Sequence, residues 1–158
     1  MASNKIERRL VVVGVDGSAQ SVAALRWAAR YADATGAVVR AVLAWHYPTA
    51  AGAPPVGMTP APVRQETEET LRSVLDDAVA QAFPGDAAAG VEKKLAYGHP
   101  AQTLIEESKE ADLLVVGSSG HGAFTGMLVG SVSIHCVTAA YCPVTVVRGT
   151  EADAEAAR

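Results

Sequence analysis

The chain has 158 residues, of which 49% are hydrophobic and 5% aromatic, with a formal net charge of −4 and two cysteines. That length suits one domain with a real core. The acidic balance argues against broad nucleic-acid binding, which needs a basic face, and two cysteines are too few for a disulfide framework. The opening MASNKIERRL has no apolar stretch of the signal-peptide kind, and no apolar run approaches the about 18 residues of a membrane span, so the expectation is a cytoplasmic protein with neither nucleic acid nor membrane as partner.

Leu10 to Val15 is an unbroken, valine-rich apolar run followed by Asp16-Gly17-Ser18, which predicts a central strand buried on both faces. Ser18, or Ser21, is placed to cap a helix over Ala19 to Thr35, whose Val22, Leu25, Ala29 and Ala32 recur at helical steps; Gly36 ends it. Ala37 to Trp45 predicts the second strand. From His46 to Pro62 the prolines at 48, 54, 55, 60 and 62 argue for neither helix nor central strand, so 47–62 is expected to be a flexible loop. Val63 to Phe83 reads as an amphipathic helix stopped by Pro84-Gly85. Val91 to Tyr97, alternating with Glu92 and Lys94, predicts an edge strand. Pro100 is placed to open a third helix, Leu113 to Val116 predicts the fourth strand, Ser131 to Ala140 the fourth helix, and Val144 to Val147 the fifth strand. The single domain spans about 8–148, with a frayed tail over 149–158.

Alternation of strand and helix implies an α/β fold, an open five-stranded parallel sheet with helices on both faces. If the first and fourth strands are neighbours, the order is 3-2-1-4-5. Ligands in such sheets sit beyond the carboxyl ends of the strands, where the winding reverses. Two strand ends there carry suitable loops: Asp16-Gly17-Ser18, and the glycine-rich stretch from Gly117 that runs to Ser131 at a helix start. Strand, glycine loop and helix N-terminus gather backbone N–H groups and the positive end of a helix dipole, which suits phosphate. A P-loop is excluded because no lysine occurs from Gly117 to the end of the chain. A dinucleotide fingerprint is matched only loosely by Gly120, Gly122 and Gly126, too late in the chain for a dinucleotide unit.

The loop does carry G-x2-G-x9-G-[ST] at Gly117, Gly120, Gly130 and Ser131. With this spacing, the opening VVGVDGS, the VVGSSGHG turn, the LVGSVS helix start and the CPVTVVR ending, the sequence from about Leu10 to Arg148 resembles the universal stress proteins in their ATP-binding branch. The resemblance implies the Rossmann-like fold of the adenine nucleotide alpha-hydrolases. It implies that Asp16 faces the ribose or adenine, with Gly14 the small position beneath it, and that Ala44 lies where backbone groups read adenine. It further implies that Gly117, Ser118, Ser119, Gly120, His121 and Gly122, with Gly130, Ser131, Val132 and Ser133, surround the phosphates of ATP, with Mg²⁺ offsetting their charge. Ser118 and Ser119 stand where many relatives carry a basic residue, so AMP or ADP competes with ATP. The activity implied is a nucleotide-dependent stress-response module, non-enzymatic or at most a slow ATPase; the alternatives are a weak ATP hydrolase, or a structural dimer holding AMP, ADP or no nucleotide. Relatives pair through the fifth strand, which implies a homodimer across Val144 to Val147.

The remaining chemistry-bearing residues have plainer readings. Asp16 also suits an Asx turn, Gly117 a strand end and Ser131 a helix cap. His121 reads as a solvated loop residue and His99, before Pro100, as a turn residue, while His46 at the start of the flexible loop and His135 on the fourth helix have no metal-spaced partner. Cys136 and Cys142 read as small buried apolar residues, and Trp27 and Trp45 as packing.

Overall fold

The structure is a computed structural model that describes residues 8–47, 56–119 and 129–149. Five strands, β1 (Leu10–Gly14), β2 (Val38–Trp45), β3 (Glu92–Tyr97), β4 (Leu113–Gly117) and β5 (Val144–Val147), form one parallel sheet in the order 3-2-1-4-5. The expected topology is the one found. The winding runs outward from β1 through β2 to β3, then returns to the other side of β1 for β4 and β5. The reversal therefore falls between β1 and β4.

Side chains of a strand alternate between faces, and the two faces of this sheet are covered by different helices. On one face Val11, Val13 and Val15 pack with Leu25 and Ala28 of α1 (Ala19–Thr35) and with Leu75 and Val79 of α2 (Ala61–Ala82). On the other, Val12, Leu114 and Val116 pack with Leu104 of α3 (Pro100–Glu107) and Cys136 of α4 (Ser131–Ala139). Val11, Val12, Val13, Leu114 and Val115 are fully buried, as the central position of β1 and β4 requires. Burying each such side chain stabilises the fold by about 1.5–3 kcal/mol.

Local signals explain the element ends. Ser18 caps α1, its side chain accepting from the Ser21 amide, and Gly36 closes the helix at φ 72°, its amide bonded to the Ala32 carbonyl. That left-handed conformation strains any residue with a Cβ. Ser21, the alternative cap, is instead buried in the first turn. Pro100 does open α3, with His99 in the cap position.

The proline-rich stretch differs from expectation where it is described. Val56–Met58 forms a short 3-10 turn and α2 begins at Ala61, so Pro62 is helical. First-turn amides have no intrahelical acceptor, so a proline there forfeits nothing. Residues 48–55, the centre of the expected loop, lie outside the described residues. A second 3-10 segment, Gly85–Gly90, links α2 to β3 and was not foreseen. Of the expected frayed tail only Gly149 is described, and its amide donates to Gln20 Oε1 at 2.6 Å.

At the amino-terminal side of β3, Arg40 binds Glu92 at 2.9 Å, Glu107 at 3.3 Å and Glu110 at 3.4 Å, while Lys94 also meets Glu107. The hydrogen bond to Glu92 leads in holding the Arg40 guanidinium above its ordinary pKa, against the effect of burial. This cluster ties β2, β3 and α3 together.

Candidate functional site

The carboxyl ends of β1 and β4 emerge side by side, with Val13 level with Val115. At the end of β1, the Val15 amide still donates to the Val42 carbonyl of β2 at 2.8 Å, so the chain leaves the sheet only at Asp16. Gly17 then takes φ 80°. Asp16 Oδ1 accepts from the Ser18 amide at 2.9 Å and from the Ser18 hydroxyl. The Asx turn is real, and it fixes the carboxylate on the exposed rim of the sheet. The turn is continuous with the capping of α1, because Ser18 Oγ accepts in turn from the Ser21 amide at 3.2 Å.

At the end of β4, the structure gives Gly117 a role that needs no ligand. A Cβ there would lie 2.9 Å from the backbone C and O of Gln20, so the strand end presses directly on the first turn of α1. Ser118 follows, buried, with its amide donating to the Val147 carbonyl of β5 at 2.8 Å and its carbonyl accepting from the Gly130 amide at 2.6 Å. Ser133 Oγ donates to the Gly117 carbonyl at 2.6 Å. These bonds join the two ends of the 117–130 segment at its base. The backbone of Ser118 and the hydroxyl of Ser133 are thus engaged in joining the end of β4 to the start of α4. Gly120, His121 and Gly122 lie outside the described residues, and Ser119 is the last described residue on that side.

Gly130, rather than Ser131, occupies the cap position of α4, in an extended conformation with no side-chain cap hydrogen bond. The amides of Ser131, Val132 and Ser133 therefore have no intrahelical acceptor by helix geometry, and the cap residue, a glycine, supplies no side-chain acceptor in its place. Ser131 is exposed at the helix start. Uncapped amides at the positive end of a helix are donors for an anion, and their place directly beyond β4 puts them at the sheet's winding reversal. The donor set fits phosphate.

The floor of this region is made of small residues. A Cβ on Gly14 would meet Leu104 Cδ1 at 2.7 Å, so α3 closes over the end of β1 because that position is glycine. Ala44 is half-buried in β2, level with Ala96 of β3. Three features here were not foreseen from the sequence: Gln20 bracing both Gly117 and Gly149, Leu104 over Gly14, and Ser133 fastening the loop. Only the last had a local signal, a serine one helical turn past the motif glycine. Under α4, burial pushes the Cys136 thiol up to about 11 and also raises that of Cys142, in keeping with packing roles. A separate cavity of about 490 Å³ lies between α1 and β5, lined by Arg26, Trp27, Arg30 and Arg148 among others. It does not include Asp16, Gly117 or the start of α4.

Comparison with known proteins gives a consistent picture. The model of the universal stress protein family matches residues 7–148. A universal stress protein of Mycolicibacterium smegmatis is 38% identical over 141 residues, covering 87% of this chain and 45% of that one. The chain spans about half the length of the curated relatives it matches. Among solved structures, a universal stress protein in complex with cAMP is similar at a TM-score of 0.65 and 28% identity, over 90% of this chain and 98% of that one. One from Archaeoglobus fulgidus in complex with dAMP shares the fold at a TM-score of 0.54 and 23% identity, over 89% of this chain and 98% of that one.

The contact between Gly117 and Gln20 yields a direct test. Gly117→Ala forces a methyl against backbone that cannot rotate away, and overpacking of this kind is destabilising by about 1–3 kcal/mol. Urea unfolding without any nucleotide should show that loss; a variant as stable as the parent would mean that the strand end can withdraw from α1.

Proposed function

The chain belongs to the universal stress protein family, and on that footing we propose that it is an ATP-binding module that changes its associations according to the nucleotide it holds. The observation that carries this reading is the start of α4, which has no side-chain cap and is joined to the end of β4 by the bonds of Ser118 and Ser133, on the strand next to the one that Asp16 follows. Asp16 would take the ribose hydroxyls, and Gly14 and Ala44 would leave room for the base. The amides of Ser131, Val132 and Ser133, with the Ser131 hydroxyl, would hold phosphate, as Gly130 would by admitting close approach. Gly117, Ser118 and the Ser133 hydroxyl support that cradle from behind. Mg²⁺ would be held chiefly by the phosphates and water, the manner in which this ion usually accompanies nucleotides.

The cAMP and dAMP held by the similar structures support an adenine nucleotide as the ligand class. Titration calorimetry with ATP, ADP, AMP and cAMP, each with Mg²⁺, tests the reading. ATP should bind, and Asp16→Ala should weaken it about tenfold, the equivalent of 1.4 kcal/mol. Absence of binding by any adenine nucleotide at millimolar concentration would end the proposal.

A homodimer through β5 is the second part of the reading. The carbonyl of Pro143 accepts from the Leu114 amide of β4 and that of Val147 from the Ser118 amide just past it, so by strand alternation Val144 and Val146 turn their backbone groups outward from the sheet. Beside that open edge, Ile134, Val137 and Tyr141 form an exposed apolar stripe along and just past α4. An unpaired strand edge with apolar surface next to it suits antiparallel pairing with a second copy. Val146→Pro removes an outward amide while leaving the bonds to β4, and light scattering should then report monomers. A dimer surviving the change would place the interface elsewhere.

A further inference from the structure

Two histidines that are 53 positions apart in the sequence come together at the carboxyl rim of the sheet. His46 follows β2 and His99 follows β3, and these strands are neighbours in register, Trp45 level with Tyr97. Their imidazole centres are 4.3 Å apart with the ring planes tilted by 49°. The backbone under them is braced: the Gly98 amide donates to the Trp45 carbonyl at 2.8 Å, and the Thr103 amide to the His99 carbonyl at 2.9 Å. Pro100 further confines His99 to its extended conformation, φ −67° and ψ 133°. Both side chains retain access to solvent.

The geometry points to a metal site: we propose that His46 and His99 together bind one divalent transition-metal ion of the imidazole-preferring class, Cu²⁺, Ni²⁺ or Zn²⁺. Two imidazoles bound in cis to one ion, with metal–nitrogen bonds of about 2.0–2.1 Å, have ring centres roughly 4.5 Å apart, close to the separation found. His46 Nδ1 lies 3.0 Å from the Tyr47 carbonyl. A ring N–H donated to a carbonyl is the usual outer-shell partner of a ligating histidine, and it leaves the other nitrogen's lone pair for the metal. Among the described residues no third histidine, cysteine or carboxylate completes the set. The ion therefore keeps its other positions for water or an exogenous anion. A tetragonal arrangement with two nitrogens in cis favours Cu²⁺ and Ni²⁺. The site lies just beyond the ends of β2 and β3, two residues past Ala44, and is defined by the two histidines alone.

The test uses the tag-free, nucleotide-free chain. Ni²⁺ calorimetry at pH 7.5 should give one ion per chain, and Cu²⁺ electron paramagnetic resonance should show hyperfine coupling to two imidazole nitrogens. His46→Ala and His99→Ala should each weaken Ni²⁺ binding by about tenfold or more, since even loss of an outer-shell partner has an effect of that order. His135→Ala should leave binding unchanged, because that ring lies on α4 and is bonded to the Ser131 carbonyl. In the unmutated chain, the ring proton resonances of His46 and His99 should respond together to Zn²⁺, a reading that needs no variant to fold. Unchanged Ni²⁺ binding in the double variant, or ring resonances indifferent to Zn²⁺, would overturn the proposal.

Discussion

The closure of the 117–130 segment at its base is the constraint on which the candidate site depends. Gly117 lies against the backbone of Gln20, Ser118 bonds to both β5 and Gly130, and Ser133 reaches back to the Gly117 carbonyl. Each of these bonds is individually modest, about 0.5–1.5 kcal/mol. Their combined effect is positional. They set the first turn of α4 directly beyond the end of β4, the strand beside β1, which Asp16 follows. The same region explains why Gln20 matters: its backbone limits how far β4 can advance and its side chain holds Gly149 after β5.

The sheet supplies the rigid frame for that arrangement. β1 and β4 are buried on both faces, with α1 and α2 on one side and α3 and α4 on the other. Strand ends fixed in this way carry short turns whose positions vary little, which favours placing binding groups there. The Asx turn at Asp16 and the cap of α1 are one continuous hydrogen-bonded unit. A role for Asp16 in local structure and a role toward a ligand are therefore compatible, since the turn is what presents the carboxylate.

Much of the fold was legible because its signals are local. Ser18, Gly36 and Pro100 mark helix ends by mechanisms that act within a few residues, and α1 and β5 occupy the spans their patterns predict. The strand order rested on the condition that the first and fourth strands, whose loops suit a winding reversal, are neighbours, and the β1–β4 pairing meets that condition. Pro62 was misread because proline at the second helical position looks, in sequence, like proline in a loop. The glycine–serine spacing located the candidate site, and the structure brings Gly117, Ser118, Gly130, Ser131 and Ser133 together. It could not reveal that Ser118 and Ser133 are engaged in closure, nor that Gly117 is required by Gln20, because those contacts join different elements. The same reason hid the pairing of His46 with His99, which only the neighbouring of β2 and β3 creates.

Backbone amide resonances followed during titration with ATP and Mg²⁺ report most directly on whether the reversal between β1 and β4 holds the nucleotide. The account predicts that the amides of Asp16, Ser119, Gly130, Ser131, Val132 and Ser133 shift together with one saturation curve, while those of the α1–β5 groove at Arg30 and Arg148 stay in place. Shifts centred on that groove, with the start of α4 undisturbed, would contradict it.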